Sequence, residues 1–239
     1  MTARRQLLLC LITGPSGSGK TSIASELEKL LTKNICTAHQ ENLPSSEDNS
    51  GNGDVGRTAV VLLHQDHYFS KTFLPYNERK DDSYENNSGI DWDRLILDIQ
   101  WHASKHPASI IIVEGHLLGD ASAMFQNIAL SFDILSFLTT CSMETCRHRR
   151  LERRFRSDYE RHELANYFNT IVWPSFLKYG VDALQALRDL AVDGLNGAEL
   201  TKNTIALTEI DTDNLNLNAS VDRIFTKINE LGPLGVQVS

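Results

Sequence analysis

Proline and cysteine are scarce in this 239-residue chain, at six and four residues, and no apolar run approaches the ~20 residues a membrane-spanning helix needs. The scarcity of proline excludes collagen-like and proline-rich low-complexity chains. The scarcity of cysteine excludes a disulfide scaffold: Cys10, Cys36, Cys141 and Cys146 form no C-x-x-C pair and show no zinc-type spacing to histidine. They read as free thiols of a reducing compartment. Net positive charge is lacking too, with 23 basic against 31 acidic residues and a net charge of −8. That argues against a nucleic-acid partner held by overall charge. Arg4-Arg5 and the apolar stretch Leu7 to Ile12 superficially resemble a secretory signal. The stretch is short, however, and passes into a glycine-rich motif without a small-residue cleavage site. The cytosol is the expected compartment, with the nucleus as the alternative, and no membrane partner is expected.

What is present is the pattern of one α/β domain spanning residues 1–239. Residues 7–13 (LLLCLIT) form a continuous apolar run, as in a strand buried on both faces of a parallel sheet. Ile23, Leu27, Leu30 and Leu31 then recur at helical spacing. Residues 37–57, rich in Asn, Ser, Gly and acidic side chains, read as a flexible surface insertion. Further strands are expected at 59–64, 109–113, 133–138 and 204–210. Helices are expected from near Asp93, over 143–156, over about 164–190 and over 221–231. Strands alternating with helices predict a doubly wound sheet of about five parallel strands, with helices on both faces and ligands at the carboxyl ends of the strands.

The most specific motif is Gly14-Pro15-Ser16-Gly17-Ser18-Gly19-Lys20-Thr21, a full match to G-x-x-x-x-G-K-S/T lying between a buried strand and an amphipathic helix. Glycines let backbone N–H groups converge on phosphate oxygens, and the helix N-terminus adds partial positive charge. Lys20 would reach the β- and γ-phosphates of ATP, and the Thr21 hydroxyl would ligate Mg²⁺. The fold class is thus the P-loop NTPase type. A kinase of this class also needs a carboxylate to deprotonate an alcohol and a site for the metal. Asp66, after the second strand in His64-Gln65-Asp66-His67-Tyr68-Phe69, is the candidate base and a candidate metal ligand. Glu114, ending the third strand, is the candidate ligand for the metal or a metal-bound water. The structural alternatives are a turn or helix-capping role for Asp66 and a merely solvated strand end for Glu114. His64 and His67 read as surface histidines.

Seven arginines (147, 149, 150, 153, 154, 156 and 161) crowd the otherwise acidic chain around a helical basic lid at about 147–166. Such a lid can close over a nucleotide and stabilise charge on the transferring phosphoryl group. Arg149 and Arg153 are expected on the nucleotide and Arg150 near the transferred phosphate. A solvated helix face must account for several of the others. Cys141 and Cys146 read as packing residues.

The order GPSGSGKT, HQDHYF, IIVEGHLL and basic helix resembles the uridine kinase and nicotinamide riboside kinase family. Asp91-Trp92-Asp93 and Tyr167 to Tyr179 are most similar to nicotinamide riboside kinases, whereas Arg150 to Arg156 also resembles uridine kinases. The resemblance implies phosphorylation of a ribose 5′-hydroxyl with Mg-ATP, making nicotinamide mononucleotide for NAD biosynthesis, with uridine or cytidine as alternative acceptors. It also implies that Asp66 is the base, that Asp93 holds ribose hydroxyls, and that Trp92 and Phe155 flank the nicotinamide ring. His67, Tyr68 and Phe69 would border the substrate, and the loop after the fifth strand, through Asp211, would meet adenine. Trp92 as core and Asp93 as a helix cap are the structural alternatives. From another class, a nucleotide-binding regulator without chemistry is the rival. Oligomeric state stays open, with a monomer as one reading.

Overall fold

The computed structural model describes residues 7–41, 59–70, 74–106, 109–118, 132–196 and 205–230. The strands β1 (Leu7–Thr13), β2 (Ala59–His64), β3 (Ser109–Gly115), β4 (Phe132–Thr140) and β5 (Ile205–Asp211) all pair in parallel, in the order β2-β3-β1-β4-β5. The expected doubly wound sheet is therefore present. β1 is central, and the chain fills the sheet first on one side of it and then on the other. That reversal leaves the carboxyl end of β1 at a switch point, where such sheets bind ligands.

Period-two alternation explains why both faces of β1 are apolar. Leu8, Cys10 and Ile12 pack against Ile23, Leu27 and Leu31 of α1 (Lys20–Glu41) and Val221, Ile224 and Ile228 of the closing helix, Leu217–Glu230. Leu9 and Leu11 face the opposite way, onto Leu95 and Ile99 of α2 (Trp92–Lys105). These side chains are at most 2 % exposed apart from Val221, and truncating one such leucine to alanine costs about 2–5 kcal/mol.

Several boundaries differ from the sequence expectation. α1 continues through Glu41, so residues 37–41 are helical and not part of a flexible insertion; positions 42–57 lie outside the described residues. The basic helix α3 (Met143–Glu152) stops before Arg156. The cause is visible: Arg156, only 6 % exposed, turns back and donates to the carbonyls of Arg150, Leu151 and Arg154, occupying acceptors a longer helix would use. The next helix, α4 (Asp158–Tyr167), starts earlier than expected because Ser157 and Glu160 form a reciprocal capping box. It runs through π-helical turns at Phe168–Val172 and Phe176–Gly180 into α5 (Val181–Asn196). Pro174, with no N–H to donate, lies between those wide turns. The closing helix, α6, is Leu217–Glu230.

Candidate active site

Parallel pairing sets β1, β2 and β3 in register, so that their carboxyl ends meet at one edge. Glu114 stands opposite Ile12 on one side and His64 on the other. The loop leaving β1 turns on Gly14 and Gly17, both at positive φ (145° and 97°). A Cβ on Gly14 would collide with Thr139 of β4, and one on Gly17 with the Cys146 backbone of α3. No L side chain satisfies both the torsion and the space. Ser18 ties the loop down: Thr139 gives its hydroxyl proton to the Thr13 carbonyl at 3.0 Å, so Ser18 is the donor in the 2.6 Å bond between the two hydroxyls.

Lys20 opens α1 and is 7 % exposed, its ammonium donating to the Pro15 carbonyl at 2.9 Å. Burial lowers its pKa, and the nearby carboxylates of Glu114 and Asp66 oppose that shift. The first turn of α1 contains no acidic residue, so its positive end is not neutralised from within the helix. The Thr21 hydroxyl donates to one Glu114 oxygen at 3.2 Å, while His64 Nδ1 lies 2.8 Å from the other. His64 is thus a partner of Glu114 and not a detached surface histidine.

A cavity of about 840 Å³ opens in front of these groups. Among the expected site residues, Ser16 to Thr21, Asp66, Phe69, Glu114, Arg149, Arg150 and Arg153 line it. Arg150 bonds the Ser16 hydroxyl across to the phosphate loop, and Arg149 donates to the Thr212 carbonyl at 2.6 Å and hydroxyl at 3.1 Å. Gly14 and Pro15 lie behind, as backbone support.

Other expected residues lie elsewhere. Trp92 packs against the α2 core and donates to the Asn87 carbonyl at 3.2 Å. Asp93 is exposed in the first turn of α2, and the cap there is Asp91, which accepts from the Arg94 N–H at 3.1 Å. Phe155 is 94 % exposed. His67 is exposed beside the His64 ring, and Tyr68 is buried with its hydroxyl on Asp98 at 2.8 Å. Asp211 braces its own turn by accepting from the N–H groups of Asp213 and Asn214, while its neighbour Thr212 reaches the cavity. The lining also contains Tyr76, Arg79, Tyr84, Glu85 and His116, which sequence reasoning did not single out. The aromatic and charged composition of 76–85 was the available signal.

The residues fit a magnesium ion. Among the described residues no group of three or more His, Cys, Asp or Glu side chains is arranged for a metal. A hydroxyl and a carboxylate meeting at the base of a phosphate loop is nonetheless the sparse oxygen set Mg²⁺ uses, since it keeps waters and substrate phosphates as its remaining ligands.

Sheet order, loop torsions and the buried lysine together define a P-loop α/β domain of the nucleotide-binding kind. The family model described as an AAA domain matches residues 10–166, and the chain belongs to that family. A uridine kinase of Ureaplasma urealyticum serovar 10 is 28 % identical over 88 residues, covering 37 % of this chain and 32 % of that protein. The chain thus spans about a third of the length of that curated relative. Solved structures of a sugar kinase from Janibacter sp. HTCC2649 and a gluconokinase from Sinorhizobium meliloti 1021 each give a TM-score of 0.44. They are 13 % and 12 % identical, covering 97 % of this chain and 99 % and 100 % of theirs. Among the described residues no helix is long and apolar enough to cross a membrane.

Proposed function

We propose that the protein is a small-molecule kinase that transfers the γ-phosphate of ATP to a hydroxyl of a nucleoside, with nicotinamide riboside as the first acceptor to test. The observation that carries this reading is that Asp66 lines the same cavity as Lys20, Thr21 and Glu114. A passive nucleotide binder has no use for such a carboxylate, whereas a hydrolase would use it to activate water, which the acceptor-free rate in the assay below distinguishes.

In this reading the backbone N–H groups of Gly17 to Thr21 hold the β-phosphate. Lys20 exchanges its bond to Pro15 for phosphate oxygens, which return its pKa towards the ordinary lysine range. Thr21 and Glu114 would hold Mg²⁺, which would supply charge neutralisation to the phosphates. Asp66 accepts the proton of the acceptor hydroxyl as its oxygen attacks the γ-phosphorus, and ADP leaves. Arg150, already bridging to Ser16, balances charge on the phosphoryl group in flight. Arg149 and Arg153 contact the nucleotide from the lid side. Phe69, Tyr76 and Tyr84 offer aromatic faces to the acceptor's base. The resemblance of Asp91-Trp92-Asp93 and Tyr167 to Tyr179 to nicotinamide riboside kinases favours nicotinamide riboside, with uridine and cytidine as the competing acceptors.

The test is ADP release from Mg-ATP across nicotinamide riboside, uridine, cytidine and gluconate. Turnover on one riboside well above the acceptor-free rate supports the reading. Nucleotide binding without turnover on any of them replaces it with a non-catalytic regulator.

A further inference from the structure

In the wall of the same cavity, two buried polar side chains meet without bonding. Glu85 is 8 % exposed, and one of its oxygens accepts from the Tyr167 hydroxyl at 3.0 Å. Its other oxygen lies 3.8 Å from His116 Nε2, too far for a hydrogen bond. His116 Nε2 is buried and finds no hydrogen-bond partner among the described residues. A buried nitrogen left empty beside a buried carboxylate, in a cavity wall, calls for a ligand atom between them. One oxygen about 2.8 Å from each spans such a gap.

The surroundings select which ligand atom. An anionic group is repelled by Glu85. A second cation is disfavoured because Arg79 lies over the rings of Tyr76, Tyr84 and Tyr167, the last bonded to Glu85. An imidazole nitrogen and a carboxylate oxygen can each hydrogen-bond a hydroxyl. Asp66, the proposed base, lines the same cavity as this pair, so a sugar held here shares that cavity with the transfer point.

We propose that Glu85 and His116 form a clamp for the vicinal diol of the acceptor's ribose, the role expected of Asp93, which stands outside the cavity lining. The clamp makes Glu85 the residue that separates ribosides from their deoxy counterparts. It rests on the kinase reading only for the identity of the ligand, and it is testable by binding alone.

The experiment is calorimetric titration of the full chain, loaded with a non-hydrolysable ATP analogue. The probes are nicotinamide riboside and uridine, each beside its 2′,3′-dideoxy analogue, against wild type, Glu85→Gln and His116→Phe. Wild type should bind a riboside about 10- to 100-fold more tightly than its dideoxy analogue, the worth of hydrogen bonds to a charged group. Glu85→Gln should erase most of that difference while leaving the ATP-analogue affinity and the melting temperature near wild type. If Glu85→Gln proves unfolded, His116→Phe carries the same comparison. Equal discrimination in wild type and variants overturns the clamp, as does wild type binding neither riboside. Riboside binding that is lost in the variants, with no ADP release in the turnover assay, instead overturns the kinase reading and keeps the clamp.

Discussion

The imidazole of His64 lies 2.8 Å from one oxygen of Glu114, whose other oxygen receives the Thr21 hydroxyl at 3.2 Å. The carboxylate proposed to hold the metal is therefore fixed from both sides, and its register neighbour on β2 orients it. Replacing the ring with one of similar shape but no hydrogen bond, in His64→Phe, should raise the Mg²⁺ concentration for half-maximal turnover by about tenfold, the low end for an outer partner of a metal ligand. A magnesium titration that superimposes on wild type would show that Glu114 needs no such support.

Asp66 is exposed at the cavity wall, outside the buried core. Asp66→Asn should therefore retain nucleotide affinity and melting temperature while lowering kcat by about 10²- to 10⁴-fold, the range for a positioned general base. A loss expressed in KM for ATP instead would move Asp66 from proton transfer to nucleotide binding.

Gly17 combines a φ of 97° with contact against the Cys146 backbone. Gly17→Ala should cost about 1–3 kcal/mol in strain before any ligand is added, and should also displace the loop from α3. Denaturant unfolding of the nucleotide-free protein reads the first effect and nucleotide titration the second. Wild-type values in both would mean that the loop relaxes freely, contrary to the tight approach seen.

His116 has a pKa lowered chiefly by burial, with Glu85 opposing. Between that lowered value and the ordinary imidazole value near about 6.5, the folded protein binds fewer protons than the unfolded chain. Stability must then rise with pH through this window and be lost on acidification. His116→Gln removes one such site, so its unfolding midpoint should fall less steeply than that of wild type as pH drops through about 6.5. An identical slope in the two proteins would mean that His116 titrates as it would in water.

The five strands, the helix behind the phosphate loop and the loop itself were legible because each is a local, contiguous signal. A fully apolar run can only be buried on both faces, and Gly14 to Thr21 contains its own torsional requirements. Boundaries were less legible where a side chain decided them from a distance. Arg156 stops α3 by bonding back to its carbonyls, and Ser157 with Glu160 starts α4.

The acceptor side divides along the same line. Trp92 stands three and seven residues before Leu95 and Ile99, so helical phase alone puts it on the core face, and the tertiary packing follows that phase. Motif order gave Asp66, Glu114 and the arginines their places along the chain. It could not say that Tyr76, Arg79, Tyr84 and Glu85, from an irregular segment without periodicity, would meet His116 at the end of β3. That meeting depends on how the β2–α2 connection lies across the sheet edge, which is settled by long-range contacts such as Tyr167 on Glu85 and the ring of Phe69 on those of Tyr84 and His116. The sequence by itself determined the sheet and the phosphate loop, because short-range periodicity and backbone torsion suffice for both. Only the tertiary structure decided what faces them, because side chains far apart in the chain acquire a common cavity only when the sheet is assembled.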